Sequence, residues 1–100
     1  MNKTINQILK IAIEKEASDI HLYQNTSPVL RIDGELLPIN ELSENTPEIL
    51  NNYVNELLNK ENIEKYNKEK SIDISLEYQN TRFRVHIHKE RQCDAFSLRL

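Results

Sequence analysis

The chain contains a single glycine, Gly34, and this scarcity restricts what it can fold into and do more than any other feature. A phosphate-binding P-loop needs two glycines together with Lys and Ser or Thr, because its backbone wraps closely around phosphate groups. A dinucleotide-binding Rossmann fingerprint needs three glycines. The sequence can form neither motif, so we expect that this chain does not hydrolyse nucleotides by itself.

The length and composition fit one small domain. One hundred residues, 38% of them hydrophobic, suffice for a single modest core. No apolar run approaches the ~20 residues that span a bilayer, and the amphipathic N-terminus does not resemble a signal peptide. Cys93 is the only cysteine, which excludes an intramolecular disulfide and favours a cytosolic location. We read Cys93 as a free thiol in a polar turn.

The charge is negative overall and unevenly distributed. A net charge of −3 argues against a general nucleic-acid binder. Residues 81–100 nevertheless carry five basic side chains against two acidic ones. A local basic surface on an acidic domain indicates a small anionic target or an acidic partner, although a solvated sheet face would have the same composition.

The first half of the chain reads as one helix followed by three short strands. Thr4 and Gln7 form a capping box before an apolar stripe with helical spacing over residues 5–16. Asp33-Gly34 predicts a two-residue hairpin turn that places Leu30 opposite Leu37. Pro38 predicts that the return strand ends there or lies at a sheet edge. The predicted strands are residues 18–24, 29–32 and 35–39.

The second half reads as two helices followed by three alternating strands. Thr46-Pro47 is a good N-cap followed by proline at the first helical position, and its helix carries an apolar stripe that we assign to the core. A shorter helix is predicted over residues 60–69. The apolar period then changes to two, over strands 72–78, 83–88 and 95–100, with turns at 79–80 and 89–94. The order α-β-β-β-α-α-β-β-β predicts an α+β two-layer domain, with three helices on one face of a six-stranded, mostly antiparallel sheet.

Four segments in this order resemble a known family. They are ASDIHL at residues 17–22, PVLRIDGEL at 28–36, TRFRVHIH at 81–88 and SLRL at 97–100. Together they resemble the N-terminal domain of the ATPases that drive type IV pili and type II secretion, most closely the pilus retraction branch; the competence-pilus ATPases start in the same way. The segments QNTSPV and RQCD depart from the turns usual in the family.

The resemblance implies a PAS-like fold over residues 1–100, followed in the family by a RecA-like motor domain that carries the P-loop and lies outside this chain. It implies that the domain packs on the motor domain of the neighbouring subunit in a homohexamer. The parent would use ATP and Mg, whereas the fragment needs no cofactor or metal. The parent would be cytoplasmic, and it would act through an inner-membrane pilus platform protein.

Arginines on the last two strands are the candidate nucleotide-binding residues. Arg84 and Arg99 lie on the polar faces of neighbouring strands, and a guanidinium donates in a planar fork that suits phosphate. The resemblance implies that the arginines of FRV and LRL reach toward nucleotide at the cleft between this domain and the motor domain. Arg82 is a weaker candidate, because we expect it on the apolar face or before the regular strand.

The remaining polar residues are assigned mainly to structure. The resemblance implies structural roles for the motif residues Asp19, His21, Arg31, Asp33 and Gly34. An Asp19-His21 pair also suits general-base chemistry, but the sequence places no nucleophile nearby. His86 and His88 have the spacing of a zinc-ligand pair, and exposed histidines are the commoner outcome.

The sequence leaves two alternatives to an ATPase domain. One is a stand-alone PAS-like sensor, which needs an internal pocket of roughly 300 Å³ or more. The other is an adaptor that binds an acidic partner through its arginine face.

Overall fold

A computed structural model describes residues 5–100. The capping box predicted at Thr4 lies outside the described residues. The helices are α1 (Asn6–Glu14), α2 (Pro47–Leu57) and α3 (Lys60–Glu69). The strands are β1 (Asp19–Leu22), β2 (Val29–Ile32), β3 (Glu35–Pro38), β4 (Ser71–Tyr78), β5 (Thr81–Glu90) and β6 (Cys93–Arg99). The predicted element order and α+β class are confirmed.

The six strands form one open sheet in the order β3-β2-β1-β6-β5-β4, and every neighbouring pair is antiparallel. Leu30 pairs with Leu37, and Pro38 ends an edge strand, as predicted. The two halves of the chain join where β1 pairs with β6, with Asp19 opposite Arg99. This pairing places the ASDIHL and SLRL segments side by side in the middle of the sheet.

The core lies between one face of the sheet and the three helices. Alternate side chains of each strand point to this face, as period-two patterns require. The largest buried side chains come from strands and helices alike: Phe83, Phe96, Ile20, Leu22, Leu9, Leu50 and Tyr66. The stripe of α2 is core, as predicted, because Leu50, Tyr53 and Val54 are buried.

The helix ends follow local side-chain chemistry. The Thr46 hydroxyl accepts a hydrogen bond from the Ile49 N–H at 3.1 Å, which confirms the predicted cap of α2. The α1 helix ends at Glu14, earlier than the predicted residue 16. Glu16 adopts a left-handed φ of 55°, and the Ala17 N–H donates back to the Ala12 carbonyl at 2.9 Å.

The predicted polar turn over residues 89–94 is wrong. The turn consists of Arg91 and Gln92 alone, with φ of 52° and 68°, and strands β5 and β6 continue to it on either side. Two left-handed residues make the tight turn whose twist matches that of the flanking strands. Cys93 therefore lies in β6, not in a turn, and its Sγ–H donates to Gln24 Oε1 at 3.0 Å.

Extending β6 to Cys93 also buries Asp94, which is only 3% exposed. Asp94 is two residues before Phe96, so it points to the helix-covered face. Its carboxylate accepts hydrogen bonds from the Tyr66 hydroxyl at 2.5 Å and from Lys89 Nζ at 2.9 Å. Because a buried carboxylate without partners is costly, these contacts fix α3 against the β5–β6 hairpin.

Candidate functional site

The face of the sheet opposite the helices carries a row of charged side chains. The strand registers place Arg31, Asp19, Arg99, Arg84 and Ser75 side by side across five strands, from β2 to β4. We call this set the arginine row. It contains three guanidiniums and one carboxylate, so the row is positively charged.

A second row runs parallel to the first, two residues along each strand. It contains His21, Ser97, His86 and Asp73, and we call it the histidine row. All members of the two rows except Arg31 line one open groove of about 630 Å³. The groove lies on the outer face of the sheet and not between the sheet and the helices, where the sensor alternative requires its pocket.

Arg84 and Arg99 are direct cross-strand neighbours within the groove. Like charges directly opposite each other destabilise a sheet unless a counter-charge relieves them. Arg99 Nε lies 3.3 Å from Asp19 Oδ1, which leaves its two terminal amino groups for another acceptor. The side chain of Arg84 has no hydrogen-bond or ion-pair partner among residues 5–100. The pair is therefore suited to an oxyanion that accepts from both guanidiniums.

Asp19 links two of the three arginines of the arginine row, Arg31 and Arg99. Its carboxylate lies between Arg99 and Arg31, whose Nε is 3.8 Å from Asp19 Oδ2, and it accepts from Ser18 Oγ at 2.8 Å. Burial alone raises the pKa of Asp19, but the hydrogen bonds from Ser18 and Arg99 and the nearby positive charge outweigh it. The net effect is a lowered pKa. Asp19 therefore stays ionised and keeps its arginines in place.

The expectation that Arg82 lies on the apolar face or before the regular strand is wrong, because β5 begins at Thr81. Arg82 is exposed and shares the polar face with Arg84, because residues two apart in a strand point the same way. It lies opposite Glu77 near the β4–β5 turn and does not line the groove. Its position gives it a different environment from that of Arg84 and Arg99.

Two of the three histidines contact each other, and one of these also contacts an aspartate. His86 Nδ1 lies 2.9 Å from Asp73 Oδ1, and the rings of His86 and His88 stack with centroids 5.4 Å apart. Within the part of the chain that the structure describes, no three His, Cys, Asp or Glu side chains are grouped to hold a metal ion. His21 stacks on Tyr23 at 6.0 Å.

The other motif residues lie at the turn between β2 and β3. Asp33 and Gly34 form that turn, with φ of 50° and 83°. Arg31 Nη1 donates to the Gly34 carbonyl at 3.2 Å while its Nε faces Asp19. Arg31 thus links the turn to the arginine row, as a structural residue would.

Sequence reasoning missed Asp94 and the alignment of the two rows. The signal for Asp94 was present, because it has the same parity as Phe96 and Leu98 in β6. The alignment of Asp19 with Arg99 depends on a pairing between residues 80 positions apart. No local pattern gives that register.

Comparison with solved structures identifies the class of protein that shares this fold. The chain has the fold of a domain of pilus and secretion ATPases. It is similar to the pilus retraction motor PilT, solved with bound ADP, at 30% identity and a TM-score of 0.87. That match covers 100% of this chain and 29% of the PilT chain. The predicted resemblance to the PilT-like secretion ATPases is confirmed.

Two further structures share the fold at lower identity. The ATPase DotB of Legionella pneumophila matches at 20% identity and a TM-score of 0.78, over 95% of this chain and 27% of its own. DotB of Yersinia pseudotuberculosis matches at 17% identity and 0.60, over 94% and 28%. The chain spans less than a third of each protein. No family model matches the chain, and no curated protein matches its sequence. No helix within residues 5–100 is long and apolar enough to cross a membrane.

Proposed function

We propose that this chain is the N-terminal assembly and nucleotide-sensing domain of a hexameric ATPase that powers type IV pilus retraction and twitching motility. In this proposal a RecA-like motor domain follows the chain and supplies the P-loop. The hexamer is cytoplasmic and acts at the inner face of the membrane through the pilus platform protein. The similarity to PilT over the whole chain supports the class of ATPase.

The observation that carries the sensing role is the direct opposition of Arg84 and Arg99 in an open groove. Two facing guanidiniums, of which Arg99 alone contacts the Asp19 carboxylate, are a site that lacks negative charge. The terminal phosphates of a nucleotide held by the motor domain of the neighbouring subunit would supply that charge. Binding would replace repulsion between the two arginines with charge-assisted hydrogen bonds from each of them.

The same contact would link nucleotide state to domain position. A guanidinium donates only while phosphate lies within hydrogen-bond reach, about 2.7–2.9 Å. Loss of the terminal phosphate would release this domain from the motor domain, and the angle between them would change. Mg²⁺ would offset phosphate charge when bound with ATP, and the arginines of this chain would contact the remaining phosphate oxygens. Asp19 would hold Arg99 in reach between cycles.

The test is ATP hydrolysis by the longer ATPase that contains this domain. We expect Arg84→Ala and Arg99→Ala to lower turnover, by about 10³–10⁵-fold if the guanidinium stabilises charge on the terminal phosphate and by less if it only positions the domain. Lysine at either position should rescue poorly, because an ammonium lacks the planar fork. Arg91→Ala, in the exposed β5–β6 turn, is the matched control and should hydrolyse ATP normally.

Thermal unfolding of the 100-residue chain separates sensing from folding. Arg84 is exposed and faces a like charge, so its removal should change stability by no more than about 0.5 kcal/mol. Wild-type turnover in both Arg84→Ala and Arg99→Ala would show that the groove does not sense nucleotide.

A further inference from the structure

The two edges of the sheet are built differently. The β3 edge has four residues and ends in Pro38, two features that discourage pairing with another strand. The β4 edge has eight residues, Ser71–Tyr78, and pairs with β5 without a bulge along its whole length. It contains no proline and no lysine. A long, regular edge strand of this kind is a template for a further strand.

The hairpin geometry determines which backbone groups of β4 point outward. Tyr78 and Thr81 flank the two-residue Gln79-Asn80 turn, so they exchange both ladder hydrogen bonds. Alternate residues of β4 therefore bond to β5. The intervening residues Ser71, Asp73, Ser75 and Glu77 direct their N–H and C=O groups away from the sheet. The last three of these are exposed.

The side chains at this edge favour one kind of partner. Asp73 and Glu77 lie four residues apart on the polar face, each with a basic neighbour on β5, His86 and Arg82 respectively. On an added strand, a basic side chain beside Asp73 or Glu77 would continue the alternation of charge from β5 through β4 to the new strand. A second copy of this chain that paired through its own β4 would instead bring two more carboxylates to the interface between the two strands. The edge therefore suits a basic strand better than it suits itself.

We propose that the outer edge of β4 binds an extended basic segment of a partner protein by strand addition. The segment would pair antiparallel or parallel with Ser71–Glu77, with two lysines or arginines four residues apart opposite Asp73 and Glu77. Backbone hydrogen bonds to Asp73, Ser75 and Glu77 would supply affinity, and the two carboxylates would select the partner. This edge borders the groove, because the side chains of Asp73 and Ser75 line it, but the backbone groups that would bind the segment point away from β5 and need no nucleotide.

The test uses the 100-residue chain without ATP and amide-resolved NMR. The probe is a capped peptide of threonine and valine that carries two lysines four positions apart, and its matched control carries glutamates instead. We expect the lysine peptide to shift the amide signals of Asp73, Ser75 and Glu77 and to slow their hydrogen exchange. The amides of the β3 edge should not respond, and the glutamate peptide should bind at least about tenfold more weakly.

Variants then separate strand addition from general charge attraction. The double substitution Asp73→Lys with Glu77→Lys should weaken the lysine peptide about tenfold and strengthen the glutamate peptide. Glu61→Lys with Glu64→Lys changes the net charge equally on exposed positions of α3 and should leave binding unchanged. Ser75→Pro removes an outward N–H and should abolish binding; if it fails to fold, the charge-reversed variant still decides.

Four outcomes would overturn the proposal. Three are no binding of the lysine peptide, signal changes away from β4, and equal losses in the α3 control variant. The fourth is self-association through β4 in preference to peptide binding. Because the assay contains no nucleotide, its result does not depend on the proposed sensing role.

Discussion

Replacing Tyr66 with phenylalanine tests how α3 is held to the domain. Tyr66 is the only buried residue of that helix and is 1% exposed. Its hydroxyl donates to Asp94 Oδ1 at 2.5 Å, and Lys89 Nζ reaches the same oxygen while lying 5.1 Å from the Tyr66 ring centroid. The substitution removes the hydroxyl and keeps the ring, so it deletes one hydrogen bond without opening an apolar cavity.

The expected loss follows from the charge on Asp94. A hydrogen bond to a charged group contributes about 1.5–3 kcal/mol. In the variant, Asp94 still accepts hydrogen bonds from Lys89 and, at 3.5 Å, from Asn51. The loss of stability should therefore lie near the lower end of that range. Each kcal/mol shifts the melting temperature of a domain this size by about 4–8 °C. Tyr66→Phe should therefore lower Tm by roughly 6–16 °C.

The pH dependence of stability gives an independent readout. Burial, together with the hydrogen bond and negative charge of Asp94, raises the pKa of Tyr66 in the folded state. In the unfolded chain a tyrosine ionises near pH 10, so this stabilising contribution is complete below about pH 10 and declines as the pH rises further. Tyr66→Phe lacks that decline, and the stability gap between the two proteins should narrow above pH 10. Burial also raises the pKa of Tyr53, which both proteins retain.

The assay is thermal and urea unfolding of the 100-residue chain at neutral and alkaline pH. Tyr78→Phe is the matched control, because the only hydrogen bond of the Tyr78 hydroxyl among residues 5–100 is the one it accepts from the exposed Gln79 amide at 3.3 Å. It should change stability by less than about 0.5 kcal/mol. Equal melting temperatures for Tyr66→Phe and wild type would refute the view that this hydrogen bond stabilises the packing of α3 against the sheet.

Three further predictions concern Asp19, the turn at Gly34 and ATP hydrolysis. Asp19→Asn should lower the free energy of unfolding at neutral pH. Because the pKa of Asp19 is lowered in the folded state, this difference in stability from wild type should shrink as pH falls below about 4. Urea unfolding at both pH values measures it. Gly34→Ala should lower the free energy of unfolding by about 1–2 kcal/mol in the same assay. The φ of Gly34 is 83° and a Cβ there meets no atom within 4 Å, so backbone strain alone acts. Gly34→Asn should cost less, because asparagine tolerates positive φ better than alanine. The purified chain should release no phosphate from ATP above a heat-denatured control, and phosphate release that copurifies with the folded domain would contradict this.

Local patterns predicted the elements of this fold well, because each depends on neighbours in sequence. The Thr46 cap and the Asp33-Gly34 and Gln79-Asn80 turns are each set by a few adjacent residues. Helix α3 has the predicted bounds. The turn at Arg91-Gln92 was predicted too long, over residues 89–94, because neither residue is a usual left-handed turn former that would mark its position.

The candidate site was only partly predictable. Alternation within β5 and β6 placed Arg84 and Arg99 on polar faces, and the same rule, applied consistently, places Arg82 beside Arg84. Their direct opposition required the register of β5 on β6, which the short turn fixes. The contact of Asp19 with Arg99 required the pairing of β1 with β6, which arises from burial of the whole sheet and not from any local sequence signal.

The most direct test of the nucleotide-sensing role is the structure of the complete ATPase bound to a non-hydrolysable ATP analogue. The account predicts that, in at least one subunit, the guanidinium of Arg84 or Arg99 lies about 2.7–2.9 Å from a terminal phosphate oxygen bound to the neighbouring motor domain. Both arginines lying beyond about 4 Å from the nucleotide in every subunit would contradict it.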